Sequence, residues 1–163
     1  MKKIFIILAV VFVVLIGVLL WWFSDSQVIK RNTRALAESL TIAADESKST
    51  RALKSQDFAA LLATDFSGSV QVDHYDGQIR RDEAVSGHQY LALSSESSHA
   101  TVVDIEITSL EDNRATITAK FSILVNTKGG GSYSDSADAT LRWVKTADEI
   151  WKLKSAELGQ NSP

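Results

Sequence analysis

Cysteine is absent from the 163 residues, and the single proline is Pro163. Without cysteine there is no disulfide, no thiolate metal site, no cysteine nucleophile and no lipidated cysteine. Without an internal proline, no element is interrupted by a missing backbone donor. Charge of one sign is also lacking. The chain has 17 Lys and Arg against 20 Asp and Glu, a net charge of −3. No basic stripe appears, which excludes nucleic acid as the main partner. Histidine is scarce, and His74, His88 and His99 show none of the spacings of a zinc site. Neither a metal nor any other cofactor is expected.

What is present is dominated by the stretch from Arg114 to Lys145. Ala115, Ile117, Ala119, Phe121, Ile123 and Val125 alternate with polar residues, so one face of a strand is apolar and the other wet. Tyr133, Ala137, Ala139, Leu141 and Trp143 repeat that period in a second arm. Gly129, Gly130 and Gly131 between the arms supply positive φ. The pattern predicts a long antiparallel hairpin whose apolar face needs covering helices.

Ile4 to Phe23 is an unbroken apolar run preceded by Lys2 and Lys3 and closed by Trp21, Trp22 and Phe23. As a helix it would span about 30 Å, the depth of a bilayer's hydrocarbon core, with the aromatic rings at headgroup level. Residues 1–26 are therefore expected to anchor the chain in membrane lipid through 4–23. The rival reading is a signal peptide cut after Ser26, which would release the rest. A signal core is usually about 7–15 residues, shorter than this run. Lys2 and Lys3 directly before the span favour a single pass with the N-terminus cytoplasmic. The domain then stands outside the inner membrane, in the periplasm if the host has two membranes.

Residues 27–158 form one domain, with a loose polar tail at 159–163. Ile29, Leu36, Leu40 and Ala43 recur at helical spacing. A polar break at residues 47–50 follows, then Ser55 as N-cap of a second helix that buries Phe58, Leu61 and Leu62. Val70, Val72 and His74 predict a strand to Tyr75, with Asp76-Gly77 as its turn. Asp82 caps a helix to about Ser94 whose inward side is Ala84, Val85, His88, Leu91 and Ala92. A serine-rich link leads to a strand through Val103, Ile105 and Ile107. Turns at residues 111–113 and 146–149 and a last strand from Ile150 complete the chain. The class is α+β, a curved antiparallel sheet covered by N-terminal helices and preceded by one transmembrane helix.

Three stretches carry a family resemblance. They are Gln56 to Leu62 running into a strand at Phe66, Gly77 to Val85, and the closing pair Trp143-Val144-Lys145 and Glu149 to Leu153. From about Ile29 to Leu158 the chain resembles the nuclear transport factor 2-like superfamily, which includes SnoaL-like proteins and ketosteroid isomerases. The resemblance implies a cone with a pocket between sheet and helices. Strand parity would turn His74, Tyr133, Asp135 and Trp143 into that cone. Phe121 would join them there, and the third domain helix would offer His88.

Two functions follow. One is a membrane-tethered, non-enzymatic domain that binds a ligand or assembles with a protein partner or a second copy of itself. Family members of this layout include assembly factors of type IV secretion systems, whose internal proline-containing motif is missing here. The other is an isomerase, dehydratase or hydrolase acting on a small apolar molecule in the cone, with His74 and Asp135 as acid and base. The sequence favours the first, because no catalytic pattern of the family can be matched onto it.

Overall fold

The structure, a computed structural model, describes residues 2–72 and 75–159, with side chains from residue 11 onward except at 72, 75 and 76. The order is α1 (Lys2–Trp22), α2 (Asp25–Leu40), α3 (Lys48–Leu61), β1 (Leu62–Val72), β2 (Tyr75–Arg80), α4 (Arg81–Ser94), β3 (Ser95–Glu111), β4 (Arg114–Thr127), β5 (Ser132–Lys145) and β6 (Trp151–Gly159).

The hairpin read from alternation is the centre of the sheet. β4 and β5 pair antiparallel without a break from Arg114↔Val144 to Asn126↔Ser132. Of its three loop glycines, Gly130 alone adopts positive φ, at 83°. The expected antiparallel sheet is in fact mixed, six strands in the order β2-β1-β6-β5-β4-β3. β6 returns antiparallel beside β5, and its other edge is filled by β1, which runs parallel to it. Alternation identifies a strand but not its neighbour, so a parallel pairing between distant segments leaves no local signal.

Other boundaries differ for equally local reasons. α3 is capped by Ser47, whose hydroxyl accepts from Thr50 N at 3.2 Å; the serines and threonine of the expected break are its cap and first turn. Ser55 lies inside that helix and is buried. Asp76 and Gly77 are paired strand residues of β2, opposite Gln71 and Val70. Asp82 sits in the first turn of α4, and Glu83 caps it by accepting from Arg80 N at 2.7 Å. In β3 the alternation breaks at Asp104, with φ of 53° and a register shift between Val103 and Glu106, so Val103 faces solvent.

Helices α2, α3 and α4 cover one face of the sheet. The core beneath them gathers Ile29 and Leu36 of α2, Leu62 and Phe66 of β1, Leu141 and Trp143 of β5, and Trp151 and Leu153 of β6. Arg51 of α3 fastens the helical layer. It is buried, has no carboxylate partner among the described residues, and donates to the backbone carbonyls of Ala43, Glu46, Ala92, Ser95 and Glu96 at 2.9–3.2 Å.

α1 projects from this layer, and the apolar side chains of Val11 to Phe23 are exposed. Among the described residues no single helix is long and apolar enough to cross a membrane by itself. Val11–Trp22 and Asp25–Leu40 meet that measure as a pair bent by 54°. The bend is held by Arg31, whose Nη1 donates to Trp22 O at 2.7 Å while its guanidinium lies 5.1 Å from the Trp22 ring.

Candidate functional site

The strand parity that builds the hairpin also builds a pocket. The helix-facing side chains of β4 and β5 do not all meet helices, and between them remains a cavity of about 530 Å³. Its walls are apolar: Leu36 and Leu40 of α2, Phe58 of α3, Phe66 of β1, and Phe121 and Ile123 of β4. Leu62, Leu141 and Leu153 close its floor and are buried. Such a volume with few polar groups is of the size that holds a small organic molecule.

The polar groups are gathered at the rim. Tyr133 and Asp135 stand two apart on β5 and so share a face. Tyr133 Oη donates to Asp135 Oδ2 at 2.8 Å, and Ser136 N donates to Asp135 Oδ1 at 2.7 Å. Asp135 is half-buried and makes no ion pair with a described residue; Tyr133 is 58% exposed. Glu83 also reaches the lining, but its carboxylate is engaged as the cap of α4 and lies 3.6 Å from Arg80.

Of the residues singled out from sequence, Phe121, Tyr133 and Asp135 are brought together here. His74 lies outside the described residues. His88 faces inward from α4 as expected but stops behind the pocket wall. Its ring stacks on Phe58 at 4.6 Å, Nε2 lies 3.0 Å from the Ser39 carbonyl oxygen, and Nδ1 lies 3.0 Å from Ser55 Oγ. A carbonyl can only accept, so Nε2 carries a proton, while Nδ1 faces the Ser55 hydroxyl, which also lies 3.3 Å from the Arg51 carbonyl oxygen. Burial pushes the imidazole below its usual range, only partly opposed by the Ser39 carbonyl. The group is a neutral core histidine rather than part of the pocket. Trp143 shares the parity of Tyr133 but lies farther along β5, where the helices close on the sheet; it is 0% exposed and belongs to the core. Its distance from the pocket is a matter of position along the strand, which parity alone does not fix.

Parity places a second hollow, about 720 Å³, on the opposite face of the sheet. It is polar, with Asp104, Glu106, Lys120, Asp138 and Glu157 on its lining. Among the described residues no three His, Asp or Glu side chains converge as metal ligands do.

No family model matches the chain, and no curated protein does. Solved structures do. A proposed scytalone dehydratase from Novosphingobium aromaticivorans superposes with a TM-score of 0.68 at 15% identity, covering 85% of each chain. A nuclear transport factor 2-like superfamily protein from Salmonella enterica serovar Typhimurium gives 0.67 at 11% identity, over 86% of this chain and 95% of that one. A hexachlorocyclohexane dehydrochlorinase gives 0.66 at 11%, over 85% and 86%. At such identities the likeness establishes the fold alone. The domain has the nuclear transport factor 2-like α+β fold, a curved mixed sheet with helices on one face.

Proposed function

We propose that the domain takes a small apolar molecule into the cone and transfers a proton on it, as an isomerase or dehydratase does. Asp135 is the proton acceptor and Tyr133 the group that orients it. The observation that carries this is a carboxylate at the rim of a largely apolar pocket, Asp135, that is not tied up in a helix cap as Glu83 is. The two hydrogen bonds from Tyr133 and Ser136 occupy one lone pair on each oxygen and leave the others for substrate. A ligand that fills the pocket also drives water away from Asp135, so that the carboxylate faces substrate rather than solvent. Two proteins of the same fold bear names of elimination catalysts, a dehydratase and a dehydrochlorinase, and this chemistry removes a proton from carbon.

The test is a panel of β-hydroxy ketones and unconjugated enones offered to the full chain in lipid nanodiscs, with ultraviolet absorbance reporting a new conjugated bond. The expected result is turnover by the wild type that Asp135→Asn lowers by about 100-fold or more, the size of a general-base contribution. The melting temperature of that variant should match the wild type, which separates loss of the base from loss of the fold. Turnover that survives Asp135→Asn overturns the assignment of the base.

A second reading concerns location and is supported by α1. The run Ile4 to Phe23 is apolar throughout and its described side chains, from Val11 onward, are exposed, a pattern that suits lipid. In this reading residues 4–23 hold the domain outside the inner membrane, where it binds a ligand or partner without turnover. Retention of the N-terminal segment is supported by Asp25, whose carboxylate is bound into the domain by Trp151 and Lys145; a cut after Ser26 would remove it. Because the chain has no cysteine, Ala147→Cys supplies a unique label site. Reaction of that variant with a membrane-impermeant maleimide in intact cells is expected; protection until the cells are lysed would reverse the orientation. Extraction of the full chain by alkaline carbonate would rule out the anchor.

A further inference from the structure

The anchor and the pocket rim lie at opposite poles of the domain. α2 leaves α1 at Asp25, and Asp25 is bound to Lys145 and Trp151, the last residue of β5 and the first of β6. Lys145 N also donates to Asn113 O at 3.0 Å, so the β3–β4 turn stands at the same pole. Tyr133 and Asp135 are at the other end of β5. At about 3.3 Å per residue, Asp135 is roughly 30 Å along the strand from Lys145.

The pocket is graded along that axis. Leu141 and Leu153, nearer the anchor, are buried, and Tyr133 at the far end is the most exposed large side chain of the lining. Between the floor and the anchor stand Ile29, Trp143 and Trp151, each 2% exposed or less. A close-packed layer of this kind leaves no passage for a molecule. α2 agrees, since its pocket residues Leu36 and Leu40 are at its distal end.

We propose that the pocket is loaded end-on from the aqueous side, at the pole opposite α1. Its ligand is then a water-borne apolar molecule that passes Tyr133 and Asp135, not a lipid drawn sideways out of the bilayer beneath the domain. The inference rests on the pocket and anchor readings above and adds to them the source of the ligand. A molecule that travels through water to reach an apolar pocket carries a polar group, and the rim carboxylate is where a hydroxyl or amine of that molecule would be held.

The full chain in lipid nanodiscs, probed with N-phenyl-1-naphthylamine by stopped-flow fluorescence, tests this. Ser136→Cys sits on the rim and Ala147→Cys on the exposed turn at the anchor pole, and each is reacted with a polyethylene glycol maleimide. Labelled Ser136→Cys should take up the probe at least tenfold more slowly than its unlabelled form, and labelled Ala147→Cys at the wild-type rate. Uptake slowed from position 147 and not from position 136 overturns the proposal and makes the bilayer the source. Uptake slowed at neither position overturns the end-on route while leaving the pocket reading intact. Absence of saturable binding in the unlabelled wild type removes both.

Discussion

The indole Nε1 of Trp151 donates to Asp25 Oδ1 at 2.8 Å, and the other oxygen of that carboxylate lies 3.0 Å from Lys145 Nζ. One acidic side chain thus joins the start of the first domain helix to the final strand and to its hairpin partner. The Trp151 hydrogen bond, then the Lys145 contact, hold the Asp25 carboxyl below its ordinary range against the opposing effect of burial.

Asp25→Asn should lower stability by about 1 kcal/mol, because the pair is partly screened by water. The sign in pH follows from the depressed value. The contribution is present above about pH 3.9, where the unfolded carboxyl ionises, and is lost as pH falls through the lower folded value. Urea unfolding of the wild type and of Asp25→Asn at pH 7 and pH 3 should show the gap narrowing in acid.

His88 acts in the same direction at higher pH. Folding holds it neutral between Phe58, Ser39 and Ser55, whereas the unfolded chain binds a proton at about pH 6.5. Stability is therefore full above that pH and falls as pH drops toward 5. His88→Gln should flatten this slope. Melting temperatures that fall equally steeply with falling pH in the wild type and in His88→Gln would show that the loss originates elsewhere.

Arg51→Ala should be among the most damaging single changes, costing about 3 kcal/mol or more, because five carbonyl bonds to a charged donor disappear together. Arg51→Lys should recover little of it. An ammonium has three donors and no planar fork, and cannot span the end of α4, the start of β3 and the α2–α3 link at once. Thermal unfolding of the two variants beside the wild type gives the comparison.

Trp143 offers a contrast. It is fully buried, and its indole N–H has no acceptor among the described residues. Trp143→Ala should cost about 3–5 kcal/mol through the cavity it leaves. Trp143→Phe should cost under about 1 kcal/mol, since the lost volume is offset by removal of an unpaired buried donor. Denaturant midpoints of the two variants would reveal a hidden partner for Nε1 if the phenylalanine proved nearly as costly as the alanine.

The elements were legible in the sequence where one face is apolar over many residues, as in β4 and β5, and where helical spacing is clean, as at Ile29 and Leu36. Polar residues misled wherever one side chain serves several ends. Ser47 and Ser55 look alike in sequence, yet one caps a helix and the other hydrogen-bonds a core histidine. Arg51 gives no signal of its role in the sequence, because the carbonyls that hold it come from segments up to Glu96. At the site, strand parity brought out Tyr133 and Asp135. It placed Trp143 on the correct face and too near the rim, since a period of two is silent about depth along the strand.

The parallel pairing of β1 with β6 has a bearing on biosynthesis. Apart from β2, the strand that follows α3 has no neighbour until residues 151–159 exist. A ribosome must therefore deliver nearly the whole domain before the middle of the sheet can close. During that interval the edges of β1 and β5 that β6 will join stay unpaired.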